Sequence, residues 1–209
     1  MELFLGKIDF DEENQTSKCS VVKIVHWKTY DGVLRIVSEE IEDDTREIDA
    51  LSIAEQKVSR FPRLMGNFFP NLSAVTISGC GLKRIERKDL LGLKNLKKLM
   101  LSGNQIISLP GNLFEGTPKI ETVSFYGNRI KFIGIEIFDS LKNLSYVNLK
   151  MNTNIDKCFK THGKGVTMQE LKAVIINNCQ RESFFIIEKF FEAIQISINE
   201  CGKCEEVAF

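Results

Sequence analysis

The stretch that decides the fold is Leu96-Lys-Lys-Leu99-Met-Leu101-Ser-Gly-Asn104-Gln-Ile106-Ile-Ser-Leu109-Pro110-Gly-Asn-Leu113-Phe114. Its apolar positions recur along the chain. Leu51, Val75, Leu99, Val123 and Val147 stand 24 residues apart, each two residues before a second apolar residue. One copy runs Ile120, Val123, Phe125, Asn128, Ile130, Ile133 and Phe138, and the next Leu144, Val147, Leu149, Asn152 and Ile155. Upstream lie Leu72, Val75, Ile77, Cys80, Leu82, Ile85 and Leu90, and before them Ile48, Leu51, Ile53, Gln56, Val58 and Phe61-Pro62. A fixed period of this length marks a solenoid, in which no coil buries its apolar face alone and stacked neighbours bury a continuous core.

Each repeated position has a physical task. The apolar–polar–apolar triplet predicts a short strand with one buried face. The Asn five residues after the first strand residue can hydrogen-bond the backbone of neighbouring coils, which predicts a ladder through the stack. Cys80 and Gln56 take that place in two coils. Leu90, Phe114 and Phe138 predict an apolar spine on the convex side, where Gly66 makes the first coil atypical.

The pattern LxxLxLxxNxLxxLPxxxF resembles the leucine-rich repeat family. The resemblance implies an α/β solenoid, a right-handed superhelix with a parallel sheet on its concave face. Residues 48–157 are read as five repeats, and 1–47 as an N-terminal cap built on a β-hairpin. Residues 158–180 are read as a C-terminal helical cap, and 181–209 as a tail.

The hairpin is read from the alternating stretch Cys19–Trp27, the turn Tyr30-Asp31-Gly32 and a returning strand Val33–Val37. The C-terminal helix is read from Thr167–Cys179. Thr167 and Glu170 form a capping box, and Met168, Leu171, Val174 and Ile175 one apolar face. A Cys158–Cys179 disulfide would tie this helix to the last coil, contributing about 3 kcal/mol. Two reduced thiols packed as small apolar groups are the alternative. In the tail, Phe184, Phe185, Ile187, Phe190, Phe191 and Ile194 are read either as a second cap layer or as a dimerisation patch. Cys201-Gly-Lys-Cys204 suggests a local disulfide, an intermolecular one or half a zinc site.

Further phrases narrow the resemblance to secreted leucine-rich repeat proteins of insects, Diptera in particular. They are Phe69-Pro-Asn-Leu72, Ile77-Ser-Gly-Cys80-Gly-Leu82, Arg87-Lys-Asp-Leu-Leu-Gly-Leu93, and Ile155-Asp156-x-Cys158 with the helix ending at Cys179. This implies a secreted recognition or adaptor role, in innate immunity or at the cell surface. Secretion accords with three sequons at Asn14, Asn71 and Asn143. The absence of a signal peptide, and of an upstream partner for Cys19, are read as a shortened N-terminus.

The 209 residues carry 28 Lys+Arg and 28 Asp+Glu. This balance argues against a general nucleic-acid or membrane-surface binder. No run of apolar residues is long enough to span a bilayer. An acidic run (Glu39, Glu40, Glu42, Asp43, Asp44) precedes the repeats. A basic stretch (Lys83, Arg84, Arg87, Lys88, Lys94, Lys97, Lys98) lies within them. Both read either as solvated faces or as steering patches.

His26 and His162 have no neighbours suggesting a triad or metal site, and no phosphate-binding Gly loop occurs, so no catalysis, cofactor or metal is expected. The concave positions that do not repeat are the candidate protein-binding site: Lys98, Met100, Tyr126, Tyr146, Asn148 and Lys150. Two other functions stand beside this: an intracellular (cytoplasmic) scaffold or enzyme regulator with reduced cysteines, and thiol–disulfide chemistry at Cys201 and Cys204.

Overall fold

The computed structural model describes residues 2–11, 16–30, 33–36, 48–163 and 165–179, with side chains from residue 48 onward. The elements run β1 (Glu2–Asp11), β2 (Thr16–Tyr30), β3 (Val33–Ile36), β4 (Ala50–Ala54), α1 (Met65–Phe68), β5 (Ala74–Ser78), β6 (Lys98–Met100), β7 (Ser108–Leu109), β8 (Thr122–Ser124), β9 (Phe132–Ile133), β10 (Tyr146–Asn148), β11 (Cys158–Lys160) and α2 (Met168–Cys179). A short 3-10 turn, Arg87–Leu90, lies between β5 and β6.

The molecule is a parallel-sheet solenoid. Strands β4, β5, β6, β8 and β10 pair in parallel in that order, in register at the 24-residue period: Leu51 opposite Val75, Leu99, Val123 and Val147 in turn. Their inward side chains are buried, as are the spine residues Leu90, Phe114 and Phe138. Phe114 and Phe138 stack with centroids 6.1 Å apart.

Five strands enclose four complete turns, and the fifth coil does not close. After Leu149 the chain shortens its path and returns as β11, antiparallel to β10, with Phe159 opposite Val147. At the other edge β1 pairs antiparallel with β4, Leu5 opposite Leu51, and β2 continues the sheet from β1. The stretches read as the hairpin fall in β2 and β3, which pair antiparallel. It is β1, not read as an element from sequence, that meets the first coil. β7 and β9 form a separate two-stranded parallel sheet.

The Asn ladder runs through the stack. Asn104 Nδ2 donates to Ile77 O (2.7 Å) one coil back and to Leu101 O (3.0 Å) in its own coil. Its Oδ1 accepts from Cys80 N and Leu82 N, both at 3.1 Å. Asn128 repeats this with Leu101 O (2.8 Å), Phe125 O (3.0 Å) and Ile106 N (3.1 Å). Asn152 does so with Phe125 O (2.9 Å), Leu149 O (2.9 Å) and Ile130 N (3.0 Å). Cys80 ends the ladder with its thiol donating to Ser78 O (3.1 Å) and Ile53 O (3.6 Å).

The residue before every ladder position has a left-handed backbone. Gly79, Gly103 and Gly127 have φ of 65°, 68° and 64°, and the terminal coils place Glu55 (53°) and Met151 (59°) at the same point. The turn aims its N–H at the next coil: Glu55 N to Ser78 O (3.1 Å), Gly79 N to Ser102 O (3.1 Å), Gly103 N to Tyr126 O (2.8 Å) and Gly127 N to Lys150 O (3.0 Å). A non-glycine residue there carries backbone strain.

Helix α2 begins with the expected capping box: Glu170 N donates to Thr167 Oγ1 (3.2 Å), and Thr167 N to Glu170 Oε2 (2.7 Å). The Thr167 N–H, and then the Thr167 hydroxyl donating to the same oxygen (2.9 Å), hold the Glu170 carboxyl below its ordinary value. Leu171, Ile175 and Cys179, one helical turn apart, are buried, with Met168 and Val174 packed beside them.

The Cys158–Cys179 disulfide is not formed: both residues carry free thiols. Strand alternation is the reason. Phe159 faces the core, so Cys158 points to the concave side with its register partner Asn148, whereas Cys179 lies within the core. The tail, with Cys201 and Cys204 and the dimerisation reading, lies outside the described residues, as do Asn14 and the acidic run.

Two stability experiments follow. Asn128→Ala removes both ends of one rung and leaves buried backbone groups unsatisfied. It should cost about 2–4 kcal/mol in urea unfolding. Met151→Gly relieves the left-handed strain at an exposed site, and should leave stability unchanged or raise it by up to about 1 kcal/mol.

Candidate functional site

The concave face is built by alternation. In each coil the strand Leu or Val turns inward, so its neighbours turn outward, and parallel register aligns them into rows. One row reads Ala50, Ala74, Lys98, Thr122, Tyr146, Lys160, and the next Ser52, Thr76, Met100, Ser124, Asn148, Cys158. Just beyond the strands, Tyr126 and Lys150 occupy adjacent coils at one repeat position. All six residues chosen from sequence therefore lie on one face of the last three coils, over a width on the order of 10 Å across the strands.

Polar contacts fix part of this surface. Asn148 Nδ2 donates to Tyr146 Oη (3.1 Å), and Asn148 Oδ1 accepts from Lys150 N (3.1 Å). Beneath Tyr126, Ser124 is buried and its hydroxyl meets Ser102 Oγ at 3.1 Å. Partial burial, then a hydrogen bond with Cys158, raises the Tyr146 hydroxyl above its ordinary value, so the phenol stays a neutral donor at physiological pH. Tyr126 is 44% exposed, and Met151, in the adjacent coil, is 63% exposed.

Strand β11 adds two residues that sequence reasoning missed. Cys158 joins the face next to Tyr146, and Lys160 Nζ sits 5.4 Å from the Tyr146 ring centroid, a cation–π contact. The available signal was the alternation Cys158-Phe159-Lys160. It is too short to declare a strand, and it breaks the 24-residue period. Together Lys98, Lys150 and Lys160 give this half of the face a cationic character with aromatic anchors.

The other candidates are dispersed. His162 is exposed, and among the described residues no cluster of three or more His, Cys, Asp or Glu could hold a metal. No described helix is long and apolar enough to cross a membrane. Of the basic stretch, Lys98 lies on the concave face. Arg87 pairs with Glu115 (2.9 Å), Lys97 with Glu121 (3.6 Å), and both Arg84 (3.6 Å) and Lys88 (2.5 Å) with Glu86. Asn71 and Asn143 are exposed at matching points where the chain enters β5 and β10. Their sequon hydroxyls serve the stack: Ser73 Oγ donates to Asp49 O (3.2 Å) and Ser145 Oγ to Glu121 O (3.0 Å).

The three described thiols differ in environment. Burial pushes the Cys179 thiol up to about 11 and raises that of buried Cys80 as well, whereas Cys158 is half-buried on the concave face. At pH 8 only on the order of one Cys179 in a thousand is thiolate. A disulfide-exchange reagent applied to the native protein at pH 8, followed by peptide mapping, should label Cys158 well before Cys80 and Cys179. Labelling at similar rates would contradict this arrangement.

Residues 70–130 match the family model described as leucine rich repeat. The chain is 42% identical over 119 residues to leucine-rich repeat-containing G-protein coupled receptor 5 of Rattus norvegicus, covering 57% of this chain and 13% of that protein. It is 24% identical over 134 residues to leucine-rich repeat-containing G-protein coupled receptor 4 of Xenopus tropicalis, covering 57% and 13%. The chain thus spans 13% of the length of these curated relatives. Among solved structures it is similar to a chain of the Toll–Spatzle complex, described as a molecular hub in Drosophila development and innate immunity. The TM-score is 0.48 and the identity 21%, over 53% of this chain and 15% of that one.

Proposed function

We propose that this chain, whose repeats belong to the leucine-rich repeat family, is a non-catalytic module that binds another protein with the C-terminal half of its concave sheet. The observation that carries this is the row structure of that face. Its first two coils carry Ala, Ser and Thr, while the last three, with β11, carry Met100, Tyr126, Tyr146, Lys98, Lys150 and Lys160. Aromatic and Met side chains on a preformed surface supply contact area at low entropic cost, and lysines around them favour a partner with carboxylates.

The setting we propose is extracellular recognition, of the kind implied by the resemblance to secreted insect proteins, with innate immunity as one context. The two exposed sequons support it. Glycans at Asn71 and Asn143 would lie where the chain enters the strands, leaving the sheet face open. A specific observation favours a second reading, an intracellular scaffold with reduced cysteines: Cys158 and Cys179 lie on opposite sides of the sheet as free thiols. Intact mass of the native protein, with and without reduction and deglycosylation, separates the two. Glycan mass at Asn71 or Asn143 supports secretion; none, with all six cysteines of the chain free, supports the scaffold.

The concave proposal is tested with a partner isolated by affinity capture and then purified. Tyr126→Ala and Tyr146→Ala should each weaken binding by about 30-fold, roughly 2 kcal/mol. Ser52→Ala, on the bland half of the same sheet, should leave affinity unchanged. Unaltered binding by both Tyr variants would move the site elsewhere.

A further inference from the structure

Away from the concave face, the first two complete coils build a second site. Arg60 and Arg84 occupy one repeat position a coil apart, and Arg63 and Arg87 another. In the following coils those positions hold Ser108 and Phe132, and Gly111 and Ile135. Stacked coils are about 5 Å apart at the sheet, so charges at one repeat position are neighbours unless their side chains diverge. Like charges held in this way repel unless countered.

The local carboxylates counter them only in part. Arg87 turns away to Glu115. Glu86 is shared by Lys88 at 2.5 Å and Arg84 at 3.6 Å. Asp89 is buried, and its Oδ2 accepts the Glu86 N–H at 2.8 Å, closing the capping box of the 3-10 turn. Arg60 enters none of the ion pairs among the described residues, while the charge of Arg63 acts on both Glu86 and Asp89.

Arg60, Arg63, Arg84 and Lys88 thus line, with Glu86, Asp89 and the Phe61 ring, a pocket of about 130 Å³. Among the described residues lining it, four cations meet two carboxylates, an excess of positive charge. It is too small for a drug-sized ligand, which takes roughly 300 Å³ or more. Guanidinium groups offer planar forks of N–H donors matched to oxyanions.

We infer that this pocket is a binding site for one tetrahedral oxyanion, a sulfate or phosphate group, free or carried on a larger molecule. The anion joins the arginines of successive coils and offsets their mutual repulsion. The site is independent of the concave surface. A ligand there would leave the sheet face open.

The test uses the full chain in low-salt buffer, titrated with inorganic sulfate, inorganic phosphate and a sulfated oligosaccharide, each read by calorimetry and by thermal unfolding. Saturable binding is expected. The Arg60→Ala/Arg84→Ala double variant should weaken it at least tenfold, and Lys94→Ala/Lys142→Ala, which removes equal charge elsewhere, should not. Tighter binding of the oligosaccharide than of inorganic sulfate would assign a glycan source, and preference for phosphate a phosphate source; either supports the site. Sulfate should raise the midpoint of the native protein more than that of the double variant. Should the double variant fail to fold, Arg60→Gln alone, which leaves the Glu86 network intact, serves in its place. No saturable binding, or equal weakening by both double variants, would overturn the proposal.

Discussion

Everything in this structure depends on satisfying backbone groups inside a narrow stack. Each coil leaves its strand through a bend whose N–H and C=O groups cannot all pair in the sheet, and the core beside them is apolar. Asn104, Asn128 and Asn152 solve this with one side chain each, donating to carbonyls of two coils and accepting amides from the coil before. Unmade, such bonds would cost about 1–3 kcal/mol apiece, comparable with a large share of a domain's stability. The ladder therefore fixes the period, and the period fixes which side chains face out.

The ends of the ladder show the constraint relaxing. At the N-terminal end Cys80 replaces Asn and contributes weaker thiol bonds. The left-handed turn is made by Glu55 and Met151 in the terminal coils, where Gly serves in the interior. An interior coil has a neighbour on each side and little room for variation. A terminal coil has one coil as neighbour and an antiparallel strand, β1 or β11, along its other edge, so its sequence is released from the repeat. At the C-terminal end the residues released in this way include Met151, Cys158 and Lys160, of which Lys160 sits against Tyr146.

Two surfaces emerge with different physics. The C-terminal half of the concave sheet is aromatic and cationic, suited to a macromolecular partner that covers it. The pocket lined by Arg60 and Arg84 is small, lateral and charged, suited to a single oxyanion. Both arise from the same device, stacking one repeat position upon the next. On the sheet it aligns unlike side chains into a mixed surface, and at the flank it brings arginines of successive coils to one pocket.

The repeat made the sheet legible in the sequence: Leu51, Val75, Leu99, Val123 and Val147 are buried opposite one another because a coil has only one way to bury its apolar pair. The same alternation placed Lys98, Met100, Tyr126, Tyr146, Asn148 and Lys150 on a common face, and the capping box marked the start of α2. Where the period fails, so does the reading. The return of the chain as β11 depends on pairing with β10 and shows no periodic signal. That pairing alone put Lys160 over Tyr146, sent Cys158 to the opposite side from Cys179, and left four complete turns with a fifth unclosed. Sequence by itself determined which residues lie inside, because burial follows from local alternation and period. Only the tertiary structure decided which outward residues meet, because those contacts join coils through space and are set by how the ends of the stack are closed.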